Sequence, residues 1–221
     1  SRMEQGAKSI ITTIGQKARI AAFSLSQASD AQITAALSDL QALLRTKAAD
    51  VLNANKVDVD AAQAKGLTPA MIDRLTLTEA RLSAIAESVG IISALENPVG
   101  QILEDWTRPN GLRIQKVSVP IGVLGMIYES RPNVTIDAAA LALKSRNAII
   151  LRGGSESFHS STALYALVVE ALTKNGLPDS CVCMVPDQDR AHVSDMLNAI
   201  GLIDVLIPRG GKGLTGRVMN E

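Results

Sequence analysis

Residues 117–154 read VSVPIGVLGMIYESRPNVTIDAAALALKSRNAIILRGG, and this stretch decides the fold class. It contains two continuous apolar runs, at 121–128 and 148–151, with an apolar helical segment, Val134–Lys144, between them. Strands that are apolar on both faces are typical of parallel sheets covered by helices on both sides. The stretch therefore predicts a β-α-β unit.

Two loops of this unit follow its strands: a polar turn at 129–133 and the glycine pair Gly153-Gly154. Both are at the carboxyl ends of their strands, which is the edge where open α/β sheets bind ligands. We therefore expect the function of the chain to depend on these two loops.

The composition excludes several classes of protein. The chain has 221 residues, of which 47% are hydrophobic and 2% aromatic, enough for a core built from aliphatic side chains. Lys plus Arg and Asp plus Glu each number 22, so no net field attracts a polyanion, and nucleic acid is not expected as a partner.

The N-terminal sequence SRMEQGAKSI has no long apolar core, and no run approaches the roughly 18 apolar residues of a membrane-spanning helix. The sequence thus predicts a cytoplasmic protein without a membrane partner. Cys181 and Cys183 are two positions apart on a predicted strand, point to opposite faces and cannot readily bridge each other. We expect reduced, structural thiols.

The sequence patterns divide the chain into three segments. Residues 1–100 are predicted to form helices that cover the sheet, with Ser29, Thr68 and Thr78 as start signals of helices. Residues 101–119 predict a protruding β-hairpin that turns at Asn110-Gly111. An isolated hairpin is marginally stable, so it packs either on its own domain or on a sheet of another subunit.

Residues 120–221 continue the alternation of strands and helices. Helices are predicted at 157–174 and 188–200, strands at 181–185 and 205–207, and a last helix ends at Glu221. Strands separated by helices of this length predict a doubly wound, Rossmann-like parallel sheet. The predicted fold class is α/β.

The segment from Gly211 to Gly216 fits G-x-G-x-x-G, and it follows a predicted strand and opens a predicted helix. Backbone N–H groups and the helix dipole favour a phosphate there. The motif follows the fourth strand of the predicted sheet and not the first, so it indicates a phosphate-facing loop other than the standard dinucleotide fingerprint. Gly213 after Lys212 excludes a P-loop, which requires Ser or Thr for magnesium.

Two further loops offer binding residues. Arg152 in LRGGSE can pair with a phosphate, although a simple turn with a surface arginine explains the residues as well. In ESRPN, Asn133 is interpreted as an ordinary N-cap, and Ser130 and Arg131 are the better candidates for a ligand.

The residues indicate no catalytic set and no metal site. His159 and His192 fall in predicted helices, without a partner suggested by the sequence, and nothing has the spacing of metal ligands. Both histidines are interpreted as ordinary helix residues.

The motifs ESRPN, LRGGSE and IPRGGKGL together resemble the γ-glutamyl phosphate reductase (glutamate-5-semialdehyde dehydrogenase) family of the aldehyde dehydrogenase superfamily. The resemblance runs from about Met3 to the end of the chain. It implies NADPH-dependent reduction of L-glutamate 5-phosphate to L-glutamate 5-semialdehyde with release of phosphate, the second step of proline biosynthesis. It also implies a homo-oligomer assembled through the hairpin.

The resemblance also assigns site residues. Arg152, with Gly153 and Gly154, matches the loop that meets the adenine ribose, and Ser155 stands where NAD-preferring relatives have a ribose-binding glutamate, which agrees with NADPH. In a second loop, facing the nicotinamide and the pyrophosphate, the matching residues are Arg209, Gly210 and Gly211. For the substrate, the resemblance points to Ser130 and Arg131, in the turn that helps to form the oxyanion pocket.

The nucleophilic cysteine of the family is in a Gly-Ile-Cys-His segment downstream of IPRGGKGL, which places it beyond Glu221. Cys181 and Cys183 do not match it, so the chain is expected to hold the N-terminal, cofactor-binding half without the catalytic domain, and to be inactive by itself. Two alternatives stay open: a stand-alone nucleotide-binding or assembly module without catalysis, and a related acyl-phosphate or aldehyde dehydrogenase with another substrate.

Overall fold

The computed structural model describes residues 2–97, 102–117, 119–129 and 131–209. The chain forms helices and strands in the order expected for an α/β protein with helices at its N-terminus. The helices are α1 Arg2–Gln27, α2 Asp30–Thr46, α3 Ala48–Ala64, α4 Pro69–Leu75, α5 Glu79–Ala94, α6 Val134–Lys144, α7 Phe158–Lys174 and α8 Ala191–Leu197; the strands are β1 Ile102–Thr107, β2 Arg113–Val117, β3 Val123–Tyr128, β4 Ala148–Arg152, β5 Val182–Met184 and β6 Val205–Arg209.

Four strands form a parallel sheet in the order β5-β4-β3-β6, which confirms the predicted α/β class. From β3 the chain proceeds through β4 to β5 on one side, and then crosses to place β6 on the other side of β3. The strand order therefore reverses between β3 and β6. In open sheets this reversal opens a crevice at the carboxyl ends of the strands, where ligands bind.

Helices cover the sheet on both faces, so β3 and β4 are almost completely buried. Helices α6 and α7 contact the sheet and each other, and α1 and α8 form a second contacting pair. The N-terminal helices are divided between these layers: α1 packs on the sheet, whereas α2 and α5 pack on each other and, together with α3, on α6 and α7.

The three predicted helix starts are confirmed. The side chains of Ser29, Thr68 and Thr78 accept hydrogen bonds from the backbone N–H groups of Gln32, Met71 and Arg81, at 3.1, 3.2 and 3.1 Å. Each bond satisfies one of the N–H groups that the first turn of a helix leaves without an intrahelical partner.

An ion pair joins α1 to the sheet. Asp204, immediately before β6, accepts hydrogen bonds at 2.8 Å from Nη1 of Arg19 and from the backbone N–H of Val123, the first residue of β3. The neighbouring Gly122 has a φ of +125°, and a Cβ there would overlap the Asp204 carboxylate. This position therefore requires glycine for its backbone conformation and for space.

Strands β1 and β2 form a separate two-stranded antiparallel sheet. The turn between them contains Asn110 and Gly111, the latter with a φ of +87°, and Arg108 and Leu112 are joined across it by a backbone hydrogen bond of 2.8 Å. Arg113 on β2 forms an ion pair with Asp105 on β1 at 2.7 Å.

Helix α8 is shorter than the predicted 188–200. Asp187 accepts a hydrogen bond from the backbone N–H of Asp189 at 3.0 Å, and Asp189 accepts one from the backbone N–H of Ala191 at 2.9 Å. These turns hold the chain in a non-helical path until Ala191 because they satisfy backbone donors locally. The predicted last helix and the G-x-G-x-x-G segment lie outside the described residues.

In the described segments, no helix is both long enough and apolar enough to cross a membrane.

Candidate cofactor-binding site

The register of the sheet brings two predicted arginines to the same edge. Ile127 of β3 pairs with Arg152 of β4, and Tyr128 of β3 pairs with Arg209 of β6. Arg152 and Arg209 thus end the two strands that flank β3, on opposite sides of it. We call this end of the sheet, with the loops that follow β3, β4, β5 and β6, the carboxyl edge.

Arg152 is half-buried, with few partners for its guanidinium group. Its Nη2 donates to the backbone carbonyl of Gln188 at 3.3 Å, while its buried Nε has no hydrogen-bond partner in the described part of the chain. Burial lowers the pKa of Arg152, and the positive charge of Arg190 acts in the same direction. Since guanidinium groups stay protonated in proteins, Arg152 is a cation with an unused donor.

The loop after β4 packs tightly on the end of β3. A Cβ at Gly153 would lie 3.1 Å from Cζ of Tyr128, and a Cβ at Gly154 would lie 3.2 Å from the backbone of Glu129. Glycine is therefore needed at both positions because the end of β3, and not a ligand, occupies the space where a side chain would lie. Ser155, the other predicted cofactor residue of this loop, is exposed in a short 3₁₀ turn, Ser155–Ser157.

Tyr128, the last residue of β3, packs against the loop after β4. The sequence analysis did not single it out. Its hydroxyl group is buried and hydrogen-bonds to that of Thr135, at 2.6 Å. Burial raises the pKa of Tyr128, so the phenol remains neutral. A polar aromatic residue at the end of an otherwise apolar strand was the only signal of this role.

Arg209 is exposed at the end of β6. It acts on Asp137 in α6: burial raises the pKa of Asp137, while the hydrogen bond from Asn133 and the charge of Arg209 lower it. The predicted site residues Ser130, Gly210 and Gly211 lie outside the described residues.

The interpretation of Asn133 as an N-cap is wrong. Asn133 precedes α6, but it has helical φ and ψ angles of −61° and −23° and makes no capping hydrogen bond. Its Nδ2 instead donates to Oδ2 of Asp137 at 3.3 Å. The backbone carbonyls of Arg131 and Pro132 already accept from the first N–H groups of α6, so a side-chain cap is not needed.

Arg131 lines a cavity of about 410 Å³ that the sequence did not reveal. The cavity lies beside the turn after β3 and is enclosed by residues of α4, α5 and α6. Its charged and polar lining includes Arg74, Arg81, Ser88, Asn133 and Asp137. Arg81 is held in place by an ion pair with Asp73, at 2.7 Å.

Both histidines lie in helices, as predicted, but one of them, His192, has a side-chain partner that the sequence did not suggest. His192 is buried, and its Nε2 lies 2.7 Å from Oδ1 of Asp187. The backbone N–H of His159 donates to Asp58 at 3.2 Å. Among the residues that the structure describes, no cluster of His, Cys, Asp and Glu could hold a metal ion.

Cys181 and Cys183 are both free and buried, as expected for structural thiols. Burial raises the pKa of each thiol to about 12. Because the thiolate is the reactive form, neither cysteine is suited to act as a nucleophile near neutral pH.

Comparison with known proteins agrees with this architecture. No protein-family model matches the chain. The chain is 53% identical over 208 residues to a γ-glutamyl phosphate reductase from Zymomonas mobilis, covering 94% of this chain and 49% of the relative. The chain spans about half the length of the curated relatives that it matches.

Solved structures give the same result. The crystal structure of γ-glutamyl phosphate reductase from Thermotoga maritima superposes with a TM-score of 0.91 at 36% identity, over 95% of this chain and 51% of that one. An acetylating aldehyde dehydrogenase from Geobacillus thermoglucosidasius superposes with a TM-score of 0.75 at 16% identity, over 99% of this chain and 45% of that one. The chain thus has the aldehyde dehydrogenase type of fold.

Proposed function

We propose that this chain, a homologue of γ-glutamyl phosphate reductase, is the NADPH-binding part of an enzyme that reduces L-glutamate 5-phosphate to L-glutamate 5-semialdehyde with release of phosphate. The observation that carries the proposal is the placement of Arg152 and Arg209 at the carboxyl edge, on either side of β3. NADPH bound there would supply the hydride.

The residues fit a dinucleotide in specific ways. Arg152 has a buried Nε donor without a partner in the described part of the chain, which suits an anionic group of the cofactor. Arg209, with Gly210 and Gly211, would meet the nicotinamide side and the pyrophosphate. Gly153 and Gly154 would act by keeping the loop close to Tyr128 and Glu129, which sets the position of Arg152 and Ser155.

The substrate would bind in the cavity beside the turn after β3. L-Glutamate 5-phosphate carries an ammonium group, a carboxylate and a phosphate, and the cavity offers charges of both signs. Arg131 and Arg74 suit the anionic groups, and Asp137 suits the ammonium group. Arg209 acts on Asp137, which supports a cavity close to the end of the carboxyl edge where we place the nicotinamide.

Assembly and location belong to the same proposal. A two-stranded sheet such as β1-β2 is marginally stable alone, so we infer that it packs against another copy of the chain in a homo-oligomer. Light scattering that finds a monomer at high concentration would contradict this. We place the enzyme in the cytoplasm because its two cysteines are buried and free.

Titration of the purified chain with NADPH, followed by the fluorescence of the nucleotide, tests the cofactor site. We expect saturable binding that the Arg152→Gln and Arg209→Gln variants weaken about tenfold, since each removes a charge-assisted hydrogen bond. Arg45→Gln, an exposed site in α2, is the control for loss of one positive charge. Absence of saturable binding by the unmodified chain would refute the proposal.

A second candidate function is nucleotide binding or assembly without catalysis. It is favoured by the two cysteines of the chain, both of which have a pKa of about 12. An assay of catalysis by the chain supplies L-glutamate 5-semialdehyde, NADP and phosphate and follows NADPH formation. NADPH binding without turnover would agree with a cofactor-binding part or with this second function, whereas turnover that survives replacement of both cysteines would contradict a nucleophile located beyond Glu221.

A further inference from the structure

We infer that Arg190 and Arg152 together form a site for the 2′-phosphate of the dinucleotide, and that Arg190 contributes to the choice of NADPH over NADH. The inference rests on the proposed function, since it assumes a dinucleotide at the carboxyl edge. It adds a residue from the loop between β5 and α8, which no sequence motif indicated.

The backbone places Arg190 beside the end of β4. The loop 185–190 follows β5, the neighbour of β4, and the carbonyl of Gln188 accepts a hydrogen bond from Nη2 of Arg152 at 3.3 Å. Arg190 is two residues further along and is exposed. The guanidinium groups of Arg152 and Arg190 can therefore both reach a ligand at this corner of the carboxyl edge.

Buried polar atoms without a partner indicate that this corner is built for a ligand. Two such atoms in the described part of the chain belong to residues that are hydrogen-bonded to each other through other atoms: the Nε donor of Arg152 and the Oε1 acceptor of Gln188. A buried polar atom without a partner is costly and rare in native proteins. A phosphate oxygen would accept from Arg152, and a ribose hydroxyl would donate to Gln188.

Two positive charges, those of Arg152 and Arg190, act on each other at this corner. Arg190 is the charge with the largest effect on Arg152, and it has the same sign, so a dianion between the two would relieve their repulsion. Three carboxylates, Asp187, Glu129 and Glu156, also act on Arg152 and would repel a phosphate. A second arginine would offset part of this repulsion, which is the role that we assign to Arg190.

The loop that carries Arg190 is held rigidly. Asp187 pairs with buried His192 at 2.7 Å and accepts a hydrogen bond from the backbone N–H of Asp189 at 3.0 Å. These contacts join Asp187 to one residue before Arg190 and to one residue after it. Pre-positioned charged groups bind a ligand with a smaller entropic cost.

The test compares two small ligands that differ only in the presence of a 2′-phosphate. Binding of adenosine 2′,5′-bisphosphate and of adenosine 5′-monophosphate to the chain is measured by calorimetry for the unmodified protein, Arg190→Gln, Arg152→Gln and the charge control Arg45→Gln. We expect Arg190→Gln to weaken binding of the bisphosphate about tenfold or more and to change binding of the monophosphate less than about twofold. Arg45→Gln should leave both unchanged.

The outcomes separate this inference from the proposed function. If Arg190→Gln weakens both ligands equally, or neither, while NADPH still binds, the 2′-phosphate site is refuted and the cofactor site stands. If the unmodified chain binds neither NADPH nor these nucleotides, both proposals are refuted. Circular dichroism of each variant verifies that a loss of affinity is not a loss of folding.

Discussion

Asp58 in α3 caps the N-terminus of α7 through Ser160, although 102 residues separate them in the chain. The carboxylate of Asp58 accepts a hydrogen bond from the backbone N–H of Ser160 at 2.7 Å, and it also accepts from the hydroxyl group of Ser160. Both residues are buried. A cap supplied by another helix ties the N-terminal helices to a helix that covers the parallel sheet.

Replacing Asp58 should destabilise the protein strongly. Asp58→Ala leaves the buried donors of Ser160 and the partly buried backbone N–H of His159 without their partner, and we expect a loss of about 2 to 4 kcal/mol in the free energy of unfolding. Urea denaturation measures the loss. Asp60→Ala, which removes only an exposed ion pair with Lys56, is the control and should cost less than about 0.5 kcal/mol. Equal losses in the two variants would show that the buried cap has no special importance.

Gly122→Ala should be more costly than an ordinary glycine replacement. A Cβ at this position would overlap the Asp204 carboxylate, and the φ of +125° is unfavourable for alanine, so we expect a loss of about 3 kcal/mol. Gly66→Ala is the matched control, because its φ of +71° is also positive but no atom lies near the added Cβ, and about 1 kcal/mol is expected. Thermal unfolding of both variants checks the order; a smaller effect at Gly122 would contradict the described contact.

The Asp204 carboxylate should make stability depend on acid pH. Hydrogen bonds from Arg19 and then from the backbone of Val123 lower its pKa below the ordinary 3.8, despite an opposing effect of burial. A carboxylate with a lowered pKa in the folded state stabilises the protein above the unfolded pKa, and this contribution is lost as the pH falls through the folded pKa. Asp204→Asn should therefore be less stable than the unmodified protein at pH 7, and the difference should shrink below about pH 4. Urea midpoints measured across this range test the sign; a difference that grows on acidification would be the opposite result.

The two thiols should be unreactive in the folded protein. Since burial raises the pKa of Cys181 and Cys183 to about 12, only a minute fraction is thiolate at pH 8. A disulfide reagent that releases a coloured thiol should detect no rapid reaction in native protein and two equivalents in urea. Rapid reaction of either cysteine in the native protein would contradict its described burial.

Local signals in the sequence were sufficient for the β3-α6-β4 unit and for several helix starts. Continuous apolar strands identify a covered parallel sheet. The side chains of Ser29, Thr68 and Thr78 each accept a hydrogen bond from a backbone N–H three residues later, so a short stretch of sequence is enough to predict these helix starts. Asn133 has the same type of side chain in the same position, yet backbone hydrogen bonds from the preceding turn replaced its cap. The outcome of a local rule thus depends on how the neighbouring backbone satisfies its own donors.

Non-local features of the site required the three-dimensional structure. Arg74 and Arg81 in α4 and α5 line the same cavity as Arg131 because the N-terminal helices pack beside the turn after β3. The contact of Gly153 with Tyr128 depends in the same way on the register between β3 and β4. No spacing within the sequence encodes such distances, so only the individual residue types could be selected in advance.

The ion pair between Arg19 and Asp204 has a consequence for how the protein is made. The two residues are separated by 185 positions, and the strand beside Asp204, β6, is the last described strand to leave the ribosome, although it pairs with β3, the first strand of the sheet. Contacts between such distant segments close large loops and slow folding. Among the described helices, α1 therefore leaves the ribosome first but gains its ion pair to the sheet last, and until then the crevice between β3 and β6 has only one wall. During synthesis, the apolar faces of α1 and β3 would be natural sites for a chaperone.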